Sequence, residues 1–258
     1  MKKFLAILMA VLMFALCFAG CGAGNETDKP ADAQKTYVIY SDNSFAPFEF
    51  LEGGKYIGVD MDILAAVAED QGFTYEMHNE GFDAAMGAVQ AGQADAMIAG
   101  MTINDKRKET FDFSDGYFDD GSIMVVAAGN TAINAEADLA GKKIAAKEGT
   151  VSTDYAESIK DKYGFEISYF EDSPTMYQAV ITGNADACFE DYSVAAWAIK
   201  SQGVALKTVG NVINPSAYGF AVKKGANAEL IEMFNAGLAS IKASGKYDEI
   251  LANYGYTA

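Results

Sequence analysis

Two corners of this chain echo each other. Ala91-Gly92-Gln93-Ala94-Asp95-Ala96 returns as Thr182-Gly183-Asn184-Ala185-Asp186-Ala187. In each, a helical pattern stops at a Gly, the residue that accepts the left-handed backbone of a helix end, and an apolar strand follows. Each corner sits inside a strand–helix alternation. The first predicts strands at Thr36–Ser41, Phe73–Met77 and Asp95–Ile98. Its helices are Asp60–Gln71, with Asp60 as cap and Gly72 as stop, and Phe82–Ala91. The second predicts strands at Lys142–Ala146, Glu166–Phe170, Ala185–Phe189 and Ala205–Val209. Helices Val151–Tyr163, Pro174–Thr182 and Ser193–Lys200 lie between them. Gly121–Ala128 is a strand between the two series, and Tyr218–Val222 a crossing strand. Helices Ala228–Ala243 and Lys246–Tyr254 end the chain, and Pro47 makes Asp42–Phe50 a loop. Alternation of this kind puts helices on the faces of a parallel-rich sheet, and two rounds of it predict two α/β lobes.

The first residues are of another kind. Met1-Lys2-Lys3 is basic, Phe4–Phe18 is an unbroken apolar run, and Ala19-Gly20-Cys21 follows. This predicts a lipoprotein signal peptide over 1–20 with lipid on Cys21, although Phe18 stands where such signals usually carry Leu. Residues 21–35 are small, polar and charged, and predict a flexible tether. The globular part is then extracytoplasmic, attached to the cell membrane through the lipid alone. Cys17 leaves with the leader and Cys21 carries lipid, so Cys188 has no partner for a disulfide; its apolar surroundings predict a buried, inert thiol. Formal charge is −17 over 258 residues, and loss of Lys2 and Lys3 makes the remainder more acidic. Such a surface disfavours nucleic acid.

Chemistry concentrates in Asp95–Ser114. The strand there turns through Ala99-Gly100-Met101-Thr102, and five residues beyond Thr102 stands Arg107. Gly100 lets an anion approach backbone N–H groups, Thr102 adds a hydroxyl, and Arg107 offers a planar fork suited to a carboxylate. Asp42 falls at the C-terminal end of the first strand, where open α/β sheets place ligand groups. The Asp119-Asp120 pair is explained by solvated side chains, and the single His, His78, lies in a polar stretch. No Cys/His cluster of zinc spacing and no phosphate-binding glycine loop occurs in the sequence.

The stretches Asp42–Phe50, Gly58–Leu64, Phe82, Ala99–Ser114, Lys147–Tyr155, Asp186–Asp191 and Tyr218–Val222 together resemble the extracellular solute-binding proteins of polar amino-acid ABC importers, the family of glutamine-binding and lysine/arginine/ornithine-binding proteins. The likeness covers Thr36 to Tyr254. It implies an α/β, two-lobed, type II periplasmic-binding-protein-like fold, with a ligand cleft between lobes joined by two crossing strands. Lobe 1 would be 36–120 with 219–258, and lobe 2 would be 121–218. Carried over by position, Arg107 would clamp the ligand α-carboxylate with the help of Ala99, Gly100 and Thr102. Asp191 would take the α-ammonium, and Phe45 and Phe82 would sandwich the side chain. Thr150 and Val151 would reach the ligand from a helix N-terminus. No cofactor is implied. The partners implied are an amino acid and an ABC permease with its ATPase subunit; the protein itself would be a monomer.

Asp42 and Lys147 match positions that address the ligand side chain in glutamine binders. One accepts and one donates, as a carboxamide requires. Glu190 departs from that pattern, because the glutamine binders have a His before the Asp. The extra carboxylate either favours a cationic ligand (arginine, lysine or histidine) or pairs with Lys147. Glutamine is the first expectation and a cationic amino acid the second. A dehydratase-like enzyme on the same fold and a sensory module are further possibilities, since fold alone does not fix function.

Overall fold

The alternation seen in the sequence survives as two layered units. The computed structural model describes residues 35–257, so the leader over 1–20, Cys21 and all of the tether but Lys35 lie outside the described residues. The chain runs β1 (Thr36–Ser41), β2 (Ser44–Phe45), β3 (Glu49–Glu52), β4 (Lys55–Ile57), α1 (Val59–Gln71), β5 (Thr74–Asn79), α2 (Phe82–Ala91), β6 (Ala96–Met97), α3 (Asp105–Lys108), β7 (Phe111–Phe113) and β8 (Phe118–Ala127). It continues through β9 (Lys143–Lys147), α4 (Val151–Tyr163), β10 (Glu166–Phe170), α5 (Ser173–Ile181), β11 (Ala187–Asp191), α6 (Tyr192–Lys200), β12 (Leu206–Tyr218), β13 (Ala221–Lys223), α7 (Ala228–Ala243) and α8 (Lys246–Asn253).

Two sheets have the orders β5-β1-β6-β13-β7 and β10-β9-β11-β8-β12. In both, the first three strands are parallel and the last two pair antiparallel. Side chains alternate between the faces, as the pleat requires. Ile39 of β1 packs under α1 and α7 with Ile63, Leu64 and Phe234, while Val38 and Tyr40 face Phe82, Ala85 and Val89 of α2. In the second sheet Ile144 faces Ala156 and Ile159 of α4, while Ala145 faces Met176 and Val180 of α5. The chain enters the second sheet by β8 and returns to the first through β12, which lies antiparallel to β8 with Tyr218 opposite Phe118 and Ser216 opposite Asp120. Among the described residues no helix is long and apolar enough to cross a membrane.

Three local expectations change. Asp42–Phe50 is not all loop: β2 and β3 form a hairpin that continues through the Gly53-Gly54 turn into β4, because backbone pairing outweighs the break at Pro47. Gly58, not Asp60, caps α1; a Cβ there would lie 2.0 Å from the Phe48 carbonyl oxygen, and Asp60 is buried and bonded elsewhere. The strand expected to close at Val209 runs on to Tyr218. It escapes an apolar pattern because much of that run is exposed, and two register shifts, one on either side of Ile213, accommodate it.

Candidate functional site

The strand ends of the two sheets meet. Phe45, Phe82, Ala99, Gly100, Thr102 and Arg107 from the first side, and Lys147, Thr150, Val151 and Asp191 from the second, line one narrow cavity. Asp42 and Glu190, the other two expected residues, do not line it; both are buried behind its wall.

Arg107 is not a solvated helix charge. Asn104 caps the short α3 by accepting the Arg107 N–H at 2.8 Å, which turns the side chain inward. The buried guanidinium donates to the Thr102 carbonyl at 2.9 Å and, across to the second sheet, to the Gly149 carbonyl at 3.0 Å. It also lies 5.2 Å from the centre of the Phe82 ring, a cation–π contact. Burial lowers its pKa to about 10, so it stays charged at neutral pH. Gly149 has φ of 74°, and a Cβ there would lie 3.1 Å from the Asp83 carboxylate and 3.3 Å from Met86, so glycine permits the close approach to α2.

Gly100 fills its position for a related reason: with φ of 52°, a Cβ would meet the Phe45 ring at 2.5 Å. Its N–H, however, is not aimed at a ligand. It donates to Asp60 at 2.8 Å, and the Tyr117 hydroxyl donates to the same oxygen at 2.8 Å. The expectation that the Gly100 amide would hold an anion therefore fails, because a buried carboxylate behind the turn already uses it. Burial pushes Asp60 up to about 6. Glu49, fully buried beside it, holds its proton well above the usual carboxylate range through burial and then the Asp60 charge.

On the other side, Lys147 ends β9 with its side chain buried, and its ammonium pairs with Asp42 across the sheets. The other Asp42 oxygen accepts the N–H groups of Asn43 at 2.7 Å and Ser44 at 3.3 Å. Burial alone would lower the Lys147 pKa, but the Asp42 and Glu190 carboxylates outweigh it, and the net shift is upward. Lys147 also lies 4.6 Å above the Phe45 ring. Glu190 makes no ion pair with Lys147. It accepts the Tyr177 hydroxyl at 3.0 Å and the Asp191 N–H at 2.9 Å, and burial, then the Asp191 charge, pushes it up to about 7.

Asp191 precedes α6 without capping it. Its carboxylate accepts the Tyr218 hydroxyl at 2.6 Å and the Ser152 hydroxyl at 3.1 Å. Burial raises its pKa, against the pull of Tyr218, Ser152 and Arg107. Thr150 caps α4, its hydroxyl accepting the Thr153 N–H at 3.1 Å, so the positive end of a 13-residue helix faces the cavity beside Val151. The sequence reasoning missed Tyr218, Ser152, Tyr177 and Asp120 as supports of these groups. Asp120 is not a solvated surface acid: its carboxylate accepts the Gly121 N–H at 2.8 Å and lies 3.0 Å from the Tyr218 hydroxyl oxygen. Tyr218 stood in the crossing strand already singled out, but no sequence pattern says which acid its hydroxyl meets. His78 stacks on Tyr40 at 4.9 Å and pairs with Glu76 at 3.0 Å, outside the cavity lining. Cys188 is buried, and burial raises its thiol well above the usual range.

Known proteins are similar to this chain over most of its length. The "Probable histidine-binding protein" of Neisseria gonorrhoeae is 30% identical over 258 residues, covering 98% of this chain and 96% of its own. Substrate-binding domain 2 of GlnP from Lactococcus lactis, in its open conformation, is 42% identical with a TM-score of 0.60, covering 86% of this chain and 96% of that one. An ancestral arginine-binding protein bound to glutamine is 34% identical with a TM-score of 0.78, covering 85% of this chain and 97% of that one. Residues 37–257 match a family of binding proteins, not of enzymes, and with that match the chain belongs to the bacterial extracellular solute-binding proteins, family 3.

Proposed function

We propose that this chain captures a polar L-amino acid, glutamine first, between its lobes and delivers it to the permease and ATPase of an ABC importer. One observation carries this reading: a buried guanidinium, a buried carboxylate, a buried ammonium and two aromatic rings line a single cavity drawn from both sheets. Arg107, backed by the α4 N-terminus at Thr150 and Val151, suits an α-carboxylate. Asp191 suits an α-ammonium, and the rings of Phe45 and Phe82 suit the side chain. Ala99, Gly100 and Thr102 form the wall beside Arg107, with Gly100 contributing shape while its N–H serves Asp60.

The choice among amino acids turns on Lys147. Its ammonium faces the cavity while Asp42 lies behind, already occupied by two N–H groups and by Lys147 itself. A cationic ligand side chain would meet an ammonium with no free carboxylate beside it. A carboxamide oxygen accepts from Lys147 without adding a charge to a region that also holds Glu190. In structures of an ancestral arginine-binding protein similar to this chain, the ligand is glutamine in one and arginine in another, so the choice rests on Lys147.

Delivery works by lobe closure, with lobe 1 as 36–120 plus 219–258 and lobe 2 as 121–218. The Arg107 bond to the Gly149 carbonyl favours the closed form by itself, and the ligand shifts the balance further only by the contacts it makes with both lobes. The protein acts outside the cell as a monomer held by lipid on Cys21. The test is a thermal-shift panel of the twenty amino acids, with ornithine and cystine, on protein freed of ligand by unfolding and refolding. Glutamine at about a thousand times its dissociation constant should add roughly 4 kcal/mol, and Arg107→Ala should abolish the shift. A shift with arginine, lysine or histidine in its place would transfer the site to a cationic ligand and give Glu190 the deciding role. No shift with any compound would end the amino-acid reading.

A further inference from the structure

Asp120 of β8 and Tyr218 at the end of β12 stand on the two strands that carry the chain between the sheets. The Tyr218 hydroxyl lies 2.6 Å from Asp191 Oδ2 and 3.0 Å from Asp120 Oδ2. A phenol has one hydrogen to donate, and an ionised carboxylate only accepts. With both acids ionised, one of these contacts would set a carboxylate oxygen against a phenol oxygen with no hydrogen between them. Both are hydrogen bonds only when one carboxyl keeps its proton and donates it to the phenol oxygen.

We propose that Asp120, Tyr218 and Asp191 hold one carboxyl proton among them, and that a ligand ammonium arriving at Asp191 expels it, so that amino-acid capture releases a proton. The inference rests on the assignment of Asp191 to the α-ammonium. In the step, a carboxyl O–H bond breaks, its electron pair stays on the carboxylate, the proton passes to water, and the ammonium supplies the compensating charge. Asp120 is the positioning residue: it is not among the residues that line the cavity and acts through Tyr218.

The surroundings support this. Asp120 also accepts the Gly121 N–H at 2.8 Å, the Ser193 N–H of α6 reaches its two oxygens at 3.2 and 3.3 Å, and Ser152 of α4 donates to Asp191 at 3.1 Å. Arg107 and Lys147 face Asp191 as cations. Glu190 faces it as a further acid, and the Tyr256 phenol faces Asp120. Burial and the Asp191 charge push Asp120 up to about 7, and burial raises Asp191 as well. A cation at Asp191 reverses that charge balance and lowers both. The unliganded triplet therefore keeps its proton below about pH 7 and the loaded one does not. Affinity should fall as pH drops through this range, by up to about tenfold per unit.

The experiment is titration calorimetry of L-glutamine into the full chain at pH 6 and pH 8, each in two buffers of different ionisation enthalpy. L-arginine replaces it if that is the amino acid the panel selects. The wild type should release close to one proton per ligand at pH 6 and close to none at pH 8. In Asp120→Asn the release at pH 6 should vanish, because the amide donates to the phenol without titrating; in Glu190→Gln it should remain. Proton uptake or no exchange at pH 6 in the wild type overturns the proposal, as does release that survives Asp120→Asn or is lost only in Glu190→Gln. If Asp120→Asn fails to fold, the wild-type count and Tyr218→Phe, which removes the bridge, decide in its place. Absence of binding by any amino acid would remove the role of Asp191 and the proposal with it, a failure the panel detects separately.

Discussion

The two sheets are copies at one end and complements at the other. At the corner before β6, the Asp95 N–H donates to the Val38 carbonyl at 2.8 Å while the Asp95 carboxylate accepts the Val38 N–H at 2.9 Å. At the corner before β11, Asp186 does the same with Lys143, at 2.7 and 2.9 Å. Each Asp also meets the Lys just before the neighbouring strand, Lys35 at 3.3 Å and Lys142 at 3.7 Å. The first three strands of each sheet follow the same order and the strand directions agree throughout, although the fourth strand is the last in the chain in one sheet (β13) and the first in the other (β8). At the cleft the likeness ends. The first sheet supplies a guanidinium and two aromatic rings, and the second an ammonium, a carboxylate and a helix N-terminus. The corners build the sheets and tolerate repetition, whereas a ligand with two charged ends needs two different walls.

The complementary end should give the largest effect. Lys147→Met leaves Asp42 buried without its cation, and removing one partner of a buried pair costs about 3–5 kcal/mol. In a chain of this size that is on the order of 10 °C in Tm, read by thermal or urea unfolding of ligand-free protein. A loss under about 1 kcal/mol would mean that water reaches Asp42 when the lobes part, and the pair would then belong to closure, not to stability.

The acids around the cleft give the next effect. Burial raises Asp60 to about 6 and Asp120 and Glu190 to about 7, all above their ordinary values. Groups whose pKa is higher folded than unfolded contribute stability that is full below the unfolded value and is lost as pH rises through the folded one. Ligand-free protein should therefore melt higher at pH 5 than at pH 8. A melting temperature that rises from pH 5 to pH 8 would show these acids to be hydrated in solution. Ligand affinity should move in the opposite direction, weakening as pH falls.

The smallest effect tests the copies. Asp95→Ala and Asp186→Ala should each cost about 1.5–3 kcal/mol in urea unfolding, the worth of a hydrogen bond to a charged acceptor. Asp95→Ala should cost more, because Asn227 also donates to Asp95 at 3.2 Å and the Asp95 side chain is the less exposed of the two, 24% against 39%. Equal losses would make the corners interchangeable; no loss at Asp186 would make the second corner a likeness of sequence alone.

Much of the fold was legible in advance because its signals are local. Helix stops at Gly72 and Gly92 adopt the left-handed backbone that ends α1 and α2, and the helices at 82–91, 151–163 and 228–243 have the expected bounds. The hairpin β2–β3 and the long β12 were hidden because their pairing partners, not their own pattern, hold them in place. The cavity residues were named through family resemblance, and the structure brings all of them but Asp42 and Glu190 to the wall. What the residues alone determined is the inventory: two alternations, a repeated corner, one Arg after a Gly-containing turn, and acids at strand ends. Only the tertiary structure decided that the Gly100 amide serves Asp60, that Lys147 pairs with Asp42 and not Glu190, and that one phenol stands between two acids. The physical reason is range. Periodicity and helix capping act over a few residues along the chain, while the partner of a buried charge is whichever group the packing brings within reach, here from 105 residues away.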